Sequence, residues 1–443
     1  MSVARALYST VLRLAQPLLR RKLARRGRTE PGYLTHVEER FGHYSQAPSQ
    51  GWVWVHAVSL GETRAAGILI EALRAEWARR GWPFHLLLTH GTATGRAEGQ
   101  RLLREGDVQV WQPWDTPAAV QRFLHQFRPA LGLLMETEVW PNLVAACRSQ
   151  GLPLALANAR LNAKSLASAQ RLRWLSEPAY QGFRAVWAQT EADAQRLRQL
   201  GAPVQAVLGN VKFDARPDPT QHSLGQSLAQ RLWVERGQRV LLLASSREGE
   251  EALWLQALRQ VPPLPGVQWL LVPRHPQRFD AVAALCAEAG LSVARRSQWS
   301  SQQPDDLPPV ADVWLGDTLG DMALYYSLSR AALLGGSFEP LGGQNLIEAA
   351  ACACPVLMGP HTFNFADAAA LSEASGAAWR VADVPAALTL LAELLAQPER
   401  LQAASQAAQG FAAAHRGAAA RTAHVAAELL LSQRLHSLAP RRL

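Results

Sequence analysis

Four cysteines in 443 residues (Cys147, Cys286, Cys352 and Cys354) are too few for a disulfide framework. Cys352-Ala-Cys354 lacks zinc-finger spacing and lies in an alanine-rich helical run, so all four read as reduced core residues in a reducing compartment. Several signatures are missing. There is no G-x-x-x-x-G-K-[ST] loop and no G-x-G-x-x-G after the first strand, which removes the main support for ATPase and NAD-dependent chemistry. No G-x-S-x-G elbow points to a serine hydrolase. No D-x-D and no His/Cys cluster calls for a metal, and nothing calls for a cofactor. No apolar run approaches the ~20 residues of a spanning helix, and no small-residue cleavage site follows the N-terminal segment.

Acidic residues are absent from residues 1–28, where Arg5, Arg13, Arg20, Arg21, Lys22, Arg25, Arg26 and Arg28 supply +8 of the formal net charge of +9. The rest of the chain is therefore near neutral. A nucleic-acid binder spreads its basic residues over a folded face with aromatic stacking positions; no such arrangement is present, so no nucleic-acid partner is expected. Val3, Leu7, Val11, Leu14 and Leu18 fall within about a quarter turn at ~100° per residue, with Arg5, Arg13 and Arg20 opposite. This predicts an interfacial helix, its apolar stripe at the acyl boundary and its arginines on anionic headgroups. The alternative is a helix packed on the protein with a solvated basic face.

What is present is a long alternation of strands and helices. Short apolar runs at 52–55, 84–88, 108–111, 131–135, 154–157, 185–188 and 204–208 read as buried parallel strands. The second half repeats the plan at 239–244, 268–272, 292–294, 312–315, 331–334 and 355–358. This length and pattern predict two doubly wound α/β sheets. The proline-containing stretch 214–219 is the expected boundary. The organisation expected is a basic membrane-associating segment at 1–30, a first domain at 31–214, a second at 215–385, and C-terminal helices at 386–443 that pack on or cross back over the domains. Residues 297–309 read as a surface loop.

In such sheets ligands sit beyond the carboxyl ends of strands, so the polar residues there are the candidates. The first half offers carboxylates: Glu62 in Ser59-Leu60-Gly61-Glu62, and Glu136-Thr137-Glu138; the turns at 90–96, 158–160 and 210–214 lie at similar places. Carboxylates suit proton removal from a hydroxyl. Glu62 opens a helix, whose dipole is expected to favour the ionised form. The second half offers Gly/Ser turns such as Gly335-Gly336-Ser337, with Arg274, which suit a nucleotide phosphate. Asn345 and Glu348, spaced i, i+3, share a helix face where a carboxylate can accept from ribose hydroxyls.

Eight segments carry a resemblance: HAVSLGETRAA, METEVWPNL, ANARL, GNVKFD, LVPRHPQRF, GDTLGD, GGSFEPLGGQNLIEAAA and PVLMGPHTFNF. In this order and spacing, nearly the whole chain resembles the 3-deoxy-D-manno-octulosonic acid (Kdo) transferases of lipopolysaccharide synthesis. The resemblance implies a GT-B glycosyltransferase, two Rossmann-like domains facing a cleft, the first binding the acceptor and the second the CMP-sugar. It implies inverting transfer of Kdo from CMP-Kdo to a lipid A precursor at the cytoplasmic face of the bacterial inner membrane. Residue by residue, Glu62 matches the family's proton acceptor, and Glu136 and Lys212 match positions that stabilise the transition state. Pro273 and Arg274, Leu319, Gly320 and Asp321, and Asn345 to Glu348 match the CMP-binding segments; Ser337 joins them from its turn. The chain departs from the family pattern at Asp321, where the family has Glu, at Gln344, where it has His, and at Leu346, where it has Pro. Its HGTATGR is a looser match. The rival readings are another GT-B transferase or epimerase with a UDP- or GDP-sugar, and a non-catalytic glycolipid-binding module. Nothing in the sequence sets an oligomeric state.

Overall fold

A computed structural model describes residues 2–299 and 307–438, so residues 300–306 of the expected surface loop and 439–443 of the C-terminal helices lie outside the described residues. The first sheet is built from β1 (Val53–His56), β2 (Leu86–His90), β3 (Val108–Trp111), β4 (Leu131–Met135), β5 (Leu154–Ala159), β6 (Ala185–Ala188) and β7 (Val204–Val207). The second contains β8 (Arg239–Ser246), β9 (Val267–Pro273), β10 (Val293–Arg295), β11 (Val313–Leu315), β12 (Ser329–Leu334), β13 (Val356–Met358) and β14 (Ala378–Arg380). Helices cover both faces, which is why β1, β2 and β4 are buried throughout and apolar except for His56, Thr89 and His90 at the carboxyl ends of the first two.

Every recorded pairing is parallel. The strand order is β3-β2-β1-β4-β5-β6-β7 in one sheet and β10-β11-β9-β8-β12-β13-β14 in the other. In the first, the winding reverses between β1 and β4, where Val53 pairs with Leu131 and His56 with Leu134. In the second it reverses between β8 and β12. These switch points open the crevice in which doubly wound folds bind ligands.

The chain separates into two compact units. One runs to Asp214 and resumes at Arg416; the other is Ala215–His415. Helices Val384–Ala396 and Pro398–Ala414 belong to the second unit, whereas helix Ala418–Leu438 returns to the first. There Ala423, Ala426 and Ala427 are buried in the cluster that holds Leu69, Ile70 and Leu73 of helix Leu60–Arg79. Small residues on the returning helix allow that close approach.

The N-terminal segment forms two helices, Val3–Leu14 and Gln16–Gly27, and not one continuous one. Pro17 sits in the first turn of the second helix, where its missing N–H costs nothing. Ser9 is buried and its hydroxyl donates to Asn142 Oδ1 at 3.1 Å. Val3, Leu7, Val11, Leu14 and Leu18 stay between 56% and 87% exposed. Among the described residues no helix is long and apolar enough to cross a membrane. All four cysteines are buried and none is in a disulfide.

Candidate active site

The first switch point gathers carboxylates. Helix Leu60–Arg79 starts immediately beyond β1, with Ser59 as its N-cap. The Ser59 hydroxyl accepts from the Glu62 N–H at 3.4 Å and donates to Glu62 Oε1 at 3.0 Å; Glu62 Oε2 accepts from the Val58 N–H at 3.0 Å. The carboxylate thus folds back on its own turn in a variant of the capping box, taking the N–H of the residue before the N-cap. The expectation that the helix N-terminus keeps Glu62 readily ionised is corrected here. Burial, followed by the nearby charge of Glu136, pushes its carboxyl above the ordinary range despite those hydrogen bonds. A raised carboxyl is a stronger base.

Glu136 follows β4 directly, in a left-handed conformation (φ 57°) that a non-glycine residue adopts only when its surroundings enforce it. They do so here. Its N–H donates to Ala157 O at 3.0 Å, and its carboxylate is buried between two cations, Lys212 Nζ at 2.7 Å from Oε1 and Arg160 Nε at 3.0 Å from Oε2. Lys212 is carried by the turn Val211–Asp214. Asn158 steadies that turn, its Oδ1 accepting from the Val211 N–H at 3.1 Å. Glu136 and Lys212 stand out in their motifs, whereas Arg160 reads as one strand-end residue among several. The usable signal was its place just beyond β5, next in sheet order to β4. Asp214, in the same motif, caps the returning helix, accepting from the Gly417 and Ala419 N–H groups.

In the second unit Pro273 ends β9, and Arg274 follows with its N–H on Ser246 O at 2.9 Å. Arg274 Nε donates to Gln344 Oε1 at 3.2 Å, which ties this turn to the 342–348 segment. Gln344 is therefore a partner of Arg274. Asn345 caps the short helix Leu346–Ala351, and its Nδ2 donates to Glu348 Oε1 at 3.0 Å. Leu319 is exposed and Gly320 has φ 95°. Asp321 accepts from Thr318 Oγ1 at 2.8 Å and pairs with Arg296 at 3.5 Å. Gln221 donates to both Gly320 O and Asp321 Oδ1, at 3.1 and 3.4 Å.

Ser337 is fully buried. Its hydroxyl donates to Leu334 O and accepts from the Gly359 N–H at 2.9 Å, so its polar capacity is used inside the fold. The N–H groups of its glycine turn are also engaged. Gly336 N–H donates to Glu250 Oε2 at 2.6 Å and Phe338 N–H to Oε1 at 3.1 Å. A buried carboxylate thus takes donors that were expected to serve a phosphate.

A family profile described as 3-deoxy-D-manno-octulosonic-acid transferase (kdotransferase) matches residues 35–215. The chain is 47% identical over 435 residues to the 3-deoxy-D-manno-octulosonic acid transferase of Bordetella pertussis, covering 95% of this chain and 98% of that one. It is 31% identical over 367 residues to the Haemophilus influenzae transferase of the same description, covering 82% and 83%. Among solved structures, Anabaena HepE in complex with UDP is similar in fold, with a TM-score of 0.56 and 16% identity over 86% of this chain and all of that one.

Proposed function

The chain belongs to the 3-deoxy-D-manno-octulosonic acid (Kdo) transferase family, and from that membership we propose that it moves Kdo from CMP-Kdo to a lipid A precursor at an anionic membrane surface. It is a GT-B glycosyltransferase of lipopolysaccharide biosynthesis. The observation that carries the mechanism is Glu62 at the β1 switch point, with Glu136 already paired to Lys212 and Arg160.

Glu62 removes the proton from an acceptor hydroxyl. The oxygen forms a bond to the anomeric carbon of Kdo, while the bond from that carbon to the phosphate oxygen breaks and its electron pair leaves with CMP. Attack on the face opposite the leaving group inverts the centre. Lys212 and Arg160 supply positive charge to an anionic transition state, and Glu136 holds them in place. The nucleotide is held in the second unit by Pro273, Arg274, Leu319, Gly320, Asp321, Asn345 and Glu348; Ser337 contributes by fixing Gly359. No cofactor enters the reaction. The exposed apolar stripe from Val3 to Leu18, with the surrounding arginines, supports the reading that the first unit sits on the membrane that holds the acceptor.

The test is Kdo transfer from CMP-Kdo to a lipid A precursor by wild type and Glu62→Gln, with folding checked by thermal melting. Loss of a general base lowers kcat/KM by about 10²–10⁴-fold. Normal turnover by a folded variant refutes the assignment of Glu62. Preference for UDP over CMP in a binding titration favours the rival donor class.

A further inference from the structure

The carboxyl end of β8 and the turn beyond it lie at the switch point of the second sheet and have no part in the mechanism above. Ser245 adopts a left-handed conformation there (φ 55°), and its carbonyl lies against Gly335, where a Cβ would stand 2.3 Å from Ser245 O. Arg247 opens the turn. Its N–H donates to Glu250 Oε2 at 2.8 Å, the same oxygen that accepts from the Gly336 N–H. One buried carboxylate therefore clamps this turn to the glycine turn after β12. On the other side, Ser246 pairs in register with Pro273, and Ser246 O accepts from the Arg274 N–H. Arg247 is thus held between the glycine turn and the Arg274 turn, and both arginines stand one residue beyond the same strand pair.

The arginines here are not equally occupied. Arg278 is bidentate on buried Glu251, at 2.7 and 2.8 Å, so its fork is used inside the fold. Arg274 Nε is on Gln344. Arg247 Nε donates to Glu248 Oε2 at 3.1 Å, while its Nη1 and Nη2 carry no hydrogen bond among the described residues. Glu248 is more than half exposed, and such a pair holds a side chain weakly. Arg247 also stands just ahead of helix Glu250–Gln260, the end at which the dipole favours anions. The fold gains little from a cation at this place.

The donor carries two anionic groups. In a 2-ulosonic acid such as Kdo the carboxylate is bonded to the anomeric carbon, and in the CMP-sugar that carbon also bears the phosphate oxygen. Both anions are therefore attached at one carbon, and a site that binds both needs cations on adjacent supports. Adjacent strands lie about 4.8 Å apart, and Arg247 and Arg274 leave β8 and β9 at matching positions. A guanidinium edge with two available N–H groups fits the two oxygens of a carboxylate. We propose that Arg247 binds the sugar carboxylate of CMP-Kdo through Nη1 and Nη2, beside the Arg274 turn that takes the phosphate. It then selects for an acidic donor sugar, because a neutral nucleotide sugar leaves this edge unpaired. This inference rests on the proposed transfer reaction.

The test is equilibrium binding of CMP-Kdo and of CMP to the full chain, in wild type, Arg247→Gln and Arg247→Lys, with folding checked by thermal melting. CMP keeps the phosphate and lacks the sugar carboxylate. Arg247→Gln should weaken CMP-Kdo by about 10–100-fold, the range for loss of a charge-assisted pair, and CMP by less than about threefold. Arg247→Lys keeps the charge without the planar edge and should recover part of the loss. Equal losses for the two ligands would assign Arg247 to the phosphate or to the shape of its turn. Unchanged affinity for CMP-Kdo would remove it from the site, and either result overturns the proposal. Should Arg247→Gln fail to fold, the ratio of the two affinities in Arg247→Lys decides in the same way. Wild type that binds CMP-Kdo without transferring Kdo overturns the reaction instead, and the affinity ratio still decides Arg247.

Discussion

Glu62 is where two residue-scale effects oppose each other. A helix N-terminus favours a carboxylate by roughly 0.3–1 kcal/mol, and its two hydrogen bonds add to this, yet burial and a like charge prevail. The buried histidines of the same sheet give a pH prediction. Burial pushes His90 down from 6.5 to about 4 and His56 to about 3. The folded protein keeps both neutral, whereas the unfolded chain protonates them near 6.5. Their contribution to stability is therefore complete above 6.5 and is lost as pH falls through about 4. For His90 the interval corresponds to on the order of 3 kcal/mol. Replacing His90 by Gln should flatten the fall of the thermal midpoint between pH ~6.5 and ~4; an unchanged slope would assign the acid lability elsewhere. Glu62 was legible in the sequence because it stands just beyond the carboxyl end of a strand, where a carboxylate suits proton removal. Its raised carboxyl was not, because that depends on burial and on the charge of Glu136, which only the folded sheet brings close.

At the scale of elements, legibility followed burial. Strands covered on both faces read as continuous apolar runs, so β1 to β13 fall close to the expected runs. β14, three residues at the edge of its sheet, has too little apolar sequence to register. The N-terminal break at Ala15 was hidden because the apolar stripe continues through Leu18 in phase. The stripe leads to a prediction. Changing Leu7 and Val11 together to Glu should reduce partition onto anionic vesicles by about tenfold or more, since each side chain buries apolar surface in the interface. Because both are exposed, folding stability should shift by no more than ~0.5 kcal/mol. Unchanged co-sedimentation with vesicles would contradict the interfacial reading.

At the scale of the whole molecule, the chain leaves the first unit after Asp214 and returns at Arg416. Asp214 binds both ends of that excursion into one structure by capping helix Ala418–Leu438, and Arg421 adds a hydrogen bond to Leu208 O at 2.8 Å. Asp214→Ala should cost about 0.5–2 kcal/mol in urea unfolding of the first unit, with partial recovery in Asp214→Asn. A variant as stable as wild type would remove this role.

Alternating apolar runs determined two parallel sheets, and motif spacing determined which turns carry chemistry, because both are local properties of the chain. Tertiary structure decided which of those turns meet. The order β2-β1-β4-β5 brings Glu62, Glu136, Arg160 and, through the turn after β7, Lys212 to one end of a sheet. It also decided that Glu250 fills the glycine turn expected to hold a phosphate, and that burial outweighs the helix dipole at Glu62. Those outcomes depend on distances through space and on exclusion of water, and neither is encoded by spacing along the chain.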